Sequence, residues 1–186
     1  MEKKLIIAGF GGQGVVLSGE LIAYAGMTEG NRVSLVPSYG PEMRGGTAHC
    51  SVILKTSEIY SPMIANPDIV IALNQPSLER FQKVVKKKGM IFYNSDLCHK
   101  DSGCNGAVYY GVPAYQIAAR LGNSKIANVV MLGALSCISE IINPDSMTEN
   151  ALPALLKGKK SQLLDINIRA FREGFEWAGS KFSCGQ

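Results

Sequence analysis

The sequence of 186 residues has no CxxC pair, no apolar run long enough to span a bilayer and no strong excess of either charge. Its cysteines, Cys50, Cys98, Cys104, Cys137 and Cys184, are odd in number and unpaired in spacing. That pattern excludes a disulfide framework and the usual zinc and iron–sulfur signatures, so all five read as free thiols. Cys98, His99 and Cys104 lie close together, but a closed metal site takes four ligands and no fourth accompanies them. The longest apolar-leaning run, Val129 to Ile142, is interrupted by Gly133, Ser136, Ser139 and Glu140 and falls short of the roughly 20 residues a membrane span needs. The basic opening MEKKLIIAGF runs from Leu5–Ala8 straight into glycines rather than a cleavage site, which excludes a signal peptide. Nineteen Lys and Arg stand against fifteen Asp and Glu, a net +4, and the basic residues are scattered. Neither nucleic acid nor a membrane is therefore an expected partner, and the expected location is cytoplasmic.

What is present is an ordinary globular composition, 46% hydrophobic and 18% charged, at a length that suits one domain over residues 1–186. Leu5–Ala8 reads as a strand, Gln13–Glu29 as a helix and Arg32–Val36 as a second strand, together a βαβ unit. From Pro37 to Gly46 the segment PSYGPEMRGG reads as a stiff loop. Thr47–Leu54 alternates, with Ala48, Cys50, Val52 and Leu54 on one face and Thr47, His49, Ser51 and Ile53 on the other, and Glu58–Ser61 is placed to pair back as a hairpin. His49 reads as a polar residue on a sheet face rather than a catalytic base, since no nucleophile or acid is placed to form a triad. Further strands are expected at Ile69–Leu73, Met90–Tyr93 and Val108–Gly111, and helices at Ser77–Val85, Tyr115–Leu121, Ala127–Ile142 and Ser161–Ala178. Ser146 with Glu149 suggests a capping box for a helix ending near Leu156. Lys86, Lys87 and Lys88 suit a solvated helix end.

Two constellations carry chemistry. Gly9, Gly11 and Gly14 fit GxGxxG between a strand and a helix, where backbone amides can approach a phosphate. The dinucleotide fingerprint also needs an acid after the second strand to hold the ribose, and here the sequence reads Val36, Pro37, Ser38. NAD is disfavoured, while anion binding and simple helix–sheet packing remain open. In the loop, Ser38, Tyr39, Glu42 and Arg44 display polar and charged groups, and Arg44 before Gly45 and Gly46 could clamp an anion. A Glu42–Arg44 pair that only fixes the loop is the alternative.

Together, GFGGQG at 9–14, PSYGPEMRGGTAHC at 37–50, SPMIANPDIVIALNQPS at 61–77 and GVPAYQIAARLGNSKIANVVMLGAL at 111–135 resemble the gamma subunit of 2-oxoacid:ferredoxin (acceptor) oxidoreductases, most closely the 2-oxoglutarate or branched-chain 2-oxoacid type. The resemblance implies a three-layer α/β sandwich with a mixed, mostly parallel sheet opened by a Rossmann-like βαβ unit. It implies a heteromeric enzyme that oxidatively decarboxylates a 2-oxoacid, with 2-oxoglutarate the expected substrate, to its acyl-CoA. Partner alpha and beta subunits and a ferredoxin-like delta subunit would hold thiamine diphosphate, Mg and iron–sulfur clusters, with ferredoxin or a similar acceptor taking the electrons. The chain shows neither a GDG…N thiamine signature nor cluster-type cysteine sets, so by itself it is expected to be inactive and to hold none of these cofactors. No catalytic residue is expected on it. Gly9, Gly11, Gly12, Gln13, Gly14, Ser38, Tyr39, Glu42, Arg44, Gly45 and Gly46 are the candidate contacts to coenzyme A or to a neighbouring subunit. A stand-alone nucleotide- or anion-binding α/β protein is the alternative.

Overall fold

A computed structural model describes residues 2–40, 46–100 and 106–182. Strand β1 (Glu2–Phe10) leads into helix α1 (Val15–Thr28), which is followed by β2 (Arg32–Tyr39) and β3 (Thr47–Lys55). Then come β4 (Ile69–Ala72), α2 (Gln75–Phe81), β5 (Met90–Asn94), β6 (Val108–Val112) and α3 (Ala114–Arg120). A short 3₁₀ turn over Ser124–Ile126 opens α4 (Ala127–Ser139). A π-helical turn at Ser146–Ala151 leads to α5 (Leu152–Leu155), and α6 (Leu164–Lys181) follows.

The strands form one six-stranded sheet in the order β2-β3-β1-β4-β5-β6. β1, β4, β5 and β6 pair in parallel, whereas β3 runs antiparallel to both β1 and β2. The expected βαβ unit is therefore split: α1 carries the chain from β1 to β2 across β3, and β2 is not β1's neighbour. β3 supplies the antiparallel addition. Glu58–Ser61 forms no strand, so the hairpin is β2 with β3 instead. β2 also runs further than its sequence suggests, through Pro37 and Ser38 to Tyr39. Pro37 is tolerated because β2 is an edge strand, where a missing N–H breaks no ladder on the open side.

One face of the sheet packs against α1, α3, α4 and α6 around Leu5, Ile7, Val52, Ile71 and Phe92. The opposite face is covered more narrowly, by Leu78 and Phe81 of α2 with Val85 and Cys98 over Ile6, Val70 and Ile91. α4 is buried along nearly its whole length, from Asn128 to Cys137, which explains why its sequence lacks a polar stripe. The capping box does not form: Asp145 already has helical backbone angles, its N–H is taken by Asn143 Oδ1 at 2.9 Å, and no side chain caps the turn. Among the described residues no helix is long and apolar enough to cross a membrane.

Candidate functional site

At the carboxyl end of β1 the chain turns through Gly11–Gly14, and Gln13 is the knot of that turn. Its Oε1 accepts from the Phe10 N–H at 2.7 Å and from Asn74 Nδ2 at 3.1 Å, while Nε2 donates to the Leu73 carbonyl at 3.3 Å. Asn74 Oδ1 in turn accepts from the Ser77 N–H at 3.0 Å and caps α2. Gln13 thus ties the ends of β1 and β4 together. Gly9 has no room for a side chain, because a Cβ there would lie 2.8 Å from Gln13 Oε1. Gly14 has φ of 76°, and a Cβ would meet Asn128 Nδ2 at 2.5 Å. Gly12, with φ of 96°, meets nothing within 4 Å and is the loop residue that faces open space.

The two constellations read from the sequence meet here. The Gly11 N–H donates to the Gly46 carbonyl at 3.0 Å, and Gly40 N–H donates to the Thr47 carbonyl at 2.7 Å. Ser38 and Tyr39, as neighbours on a strand, open into different cavities. Tyr39 lines one of about 280 Å³ with Gly11, Gly12, Gly14, Val16 and Leu17. The first turn of α1 faces this space with no side-chain cap, so its N–H groups suit an anion. Ser38 instead lines a cavity of about 430 Å³ with His49, Ser51, Met63, Arg80 and Phe81. Glu42, Arg44 and Gly45, and with them the Glu42–Arg44 pair, lie outside the described residues.

His49 stands 5.4 Å from the Phe81 ring, centroid to centroid, and burial, reinforced by the Arg80 guanidinium, lowers its pKa below the ordinary 6.5. This is the sheet-face residue expected. Cys98 is buried in the smaller core and burial pushes its thiol up to about 12, a poor state for a metal ligand. His99 beside it is exposed, and Cys104 lies outside the described residues. Among the described residues no three His, Cys, Asp or Glu gather as a metal site. Cys50 and Cys98 are free thiols, but Cys137 is disulfide-bonded, which corrects the expectation of five free thiols: odd count and irregular spacing do not exclude one pairing.

A third cavity, of about 300 Å³, lies at the carboxyl ends of β1, β4 and β5, lined among others by Gly12, Leu73, Asn94, Tyr115, Lys125 and Asn128. Of its lining residues, only Gly12 and Gln13 are among the contacts expected from the sequence. The signal was present in Asn94, directly after the apolar strand MIFY, and in NSK before the apolar run of α4, since polar residues at strand ends and helix starts mark the binding edge of a parallel sheet.

The family model for pyruvate ferredoxin/flavodoxin oxidoreductase matches residues 4–177. The chain belongs to this family. Ketoisovalerate oxidoreductase subunit VorA of Methanothermobacter thermautotrophicus is 39% identical over 95% of the chain, which spans only 36% of that protein. 2-Oxoglutarate synthase subunit KorC of Methanocaldococcus jannaschii is 32% identical over 96% of the chain and 95% of its own length. Among solved structures, the keto/oxoacid ferredoxin oxidoreductase gamma subunit from Geobacter sulfurreducens superposes with a TM-score of 0.80 at 26% identity, covering 96% of this chain and 99% of that one. The 2-oxoglutarate:ferredoxin oxidoreductase from Magnetococcus marinus, with 2-oxoglutarate, coenzyme A and succinyl-CoA bound, reaches 0.86 at 26% identity, covering 96% of this chain and 31% of that one. None of these supports the alternative of a stand-alone anion-binding protein.

Proposed function

We propose that the chain is the gamma component of a multi-subunit 2-oxoacid:ferredoxin oxidoreductase, and that its segments 9–14 and 37–46 face the coenzyme A route of the assembled enzyme. The reaction converts a 2-oxoacid, coenzyme A and an oxidised acceptor into the acyl-CoA, carbon dioxide and two electrons. Alpha, beta and ferredoxin-like delta subunits hold the thiamine diphosphate, Mg and clusters, and ferredoxin or a similar acceptor leaves with the electrons. The greater identity to the ketoisovalerate protein than to the 2-oxoglutarate protein favours a branched-chain 2-oxoacid, with 2-oxoglutarate the comparison to assay beside it.

The observation that carries the loop assignment is the Gly11–Gly46 hydrogen bond. Gly46, the last residue of the second motif, lies against the glycine turn beside an uncapped helix start, which supports an anion site there to which Arg44 would add the cation. The test is Arg44→Ala in the reconstituted complex. Loss of a charge-assisted contact worth about 1.5–3 kcal/mol raises KM for coenzyme A roughly ten- to hundredfold, with KM for the 2-oxoacid nearly unchanged. An intact complex with unaltered coenzyme A kinetics rejects the assignment, and dissociation on size exclusion points instead to Arg44 as an assembly residue.

A further inference from the structure

The crevice at the carboxyl ends of β1, β4 and β5 shares Gly12 and Gln13 with the glycine turn, but its other walls are not used by the reading above. After β1 the chain leaves to one face of the sheet through α1, and after β4 to the other through α2. In open α/β sheets such a divergence leaves a ligand-sized opening. Its volume of about 300 Å³ is at the small end of ligand pockets, of order 300–1,000 Å³.

Two buried amides line it. Asn94 is only 3% exposed, and its Oδ1 accepts from the Asp96 N–H at 3.2 Å. That bond fixes the amide orientation and leaves Nδ2 without a partner among the described residues. Asn128, 4% exposed, spends its Nδ2 on the Gly14 carbonyl at 3.3 Å and on Ser18 Oγ at 3.1 Å. Its Oδ1 accepts from no donor among the described residues. Among the described residues no fully buried side-chain polar atom lacks a partner, so both atoms open to the cavity, where one ligand can meet a donor and an acceptor together. The remaining walls are apolar or aromatic, Leu73, Leu97 and the exposed ring of Tyr115. At the mouth stand the exposed Lys125, in no ion pair among the described residues, and the open backbone of Gly12.

We propose that this crevice binds a nucleoside monophosphate. The base lies between the apolar walls, where Asn94 Nδ2 and Asn128 Oδ1 read its edge, and the phosphate meets Lys125 beside Gly12. A dinucleotide is excluded by size. The site stands on this chain alone and does not depend on the subunit role.

Calorimetry on the purified full chain with AMP, GMP, CMP and UMP is expected to give one-to-one saturable binding for at least one nucleotide, with Kd of about 10 µM. Asn94→Asp keeps the oxygen that accepts from Asp96 but removes the free donor, and should weaken binding about tenfold or more. Lys125→Ala should weaken the nucleotide about tenfold while leaving its nucleoside unchanged. The proposal is overturned by absence of binding to folded chain, by binding indifferent to both substitutions, or by inorganic phosphate binding as tightly as the nucleotide. Coenzyme A binding tenfold tighter than any mononucleotide would also overturn it, because the crevice would then hold the end of a larger cofactor.

Discussion

His49 is the residue whose environment has the clearest consequence in solution. Folding disfavours its imidazolium, first by burial and then through Arg80. As the pH falls below 6.5 the unfolded chain therefore takes up the proton that the folded chain resists. The stabilising contribution is complete above 6.5 and is lost as the pH drops toward the lowered folded value. In His49→Gln the fall in melting temperature between about pH 7.5 and about pH 5.5 should be shallower than in the native chain. Parallel curves for the two proteins would mean that the proton is taken up without cost. At this scale the sequence was legible in part. The alternation of β3 placed His49 on the correct face, and the glycines announced a tight turn. Nothing in GFGGQG distinguishes a glutamine that contacts a ligand from one that knots Phe10, Leu73 and Asn74 together, because its partners lie some sixty residues away. The donor left free on Asn94 is invisible for the same reason.

At the scale of elements, the long amphipathic α6 and the buried α4 follow from composition, and their contact is the closest between helices. Gly133 of α4 faces the Phe171 carbonyl, and Gly174 of α6 faces the Val130 carbonyl, so closely that a Cβ on either would overlap backbone. Helix propensity alone makes Gly→Ala stabilising by up to about 1 kcal/mol in a helix interior. Here overlap with unyielding backbone decides the sign. Gly133→Ala should cost roughly 1–3 kcal/mol in urea unfolding, whereas Gly179→Ala on the exposed side of α6 should be neutral or stabilising. Equal effects would show that the two helices separate without penalty. Strand order was less legible than helix position. The alternation in Thr47–Leu54 identifies a sheet with unlike faces, yet insertion of β3 between β1 and β2 is fixed by pairing partners distant in sequence, and no local period encodes those. Pro37 argued for a loop because proline usually ends strands, and only the edge position of β2 lets it stay.

Across the whole molecule, covering of the sheet is lopsided. Four helices pack one face, while α2 covers only part of the other. The uncovered part lies over β2 and β3, where Val36, Ser38, His49 and Ser51 line the largest of the three cavities with Met63 and Ile64. Met63 is 78% exposed, and Tyr60, near enough to Lys55 for a cation–π contact at 5.8 Å, is 88% exposed. Apolar and aromatic groups gathered on one face of a chain mark an interaction surface, and under the proposed role the covering partner would be a companion subunit. Interfaces draw most of their energy from a few such anchors. Tyr60→Ala should therefore weaken association with the companion subunits by about 2 kcal/mol, close to thirtyfold, and Met63→Glu should weaken it further by burying a charge. Neither change should shift the urea midpoint of the isolated chain by more than about 0.5 kcal/mol, since neither side chain is packed in it. Val108→Glu, on β6 at the opposite edge of the sheet and 47% exposed, serves as the control and should leave assembly intact. Copurification of tagged chain with its companions separates the outcomes: retention with Tyr60→Ala and Met63→Glu, or loss with Val108→Glu alone, would move the interface to the other edge.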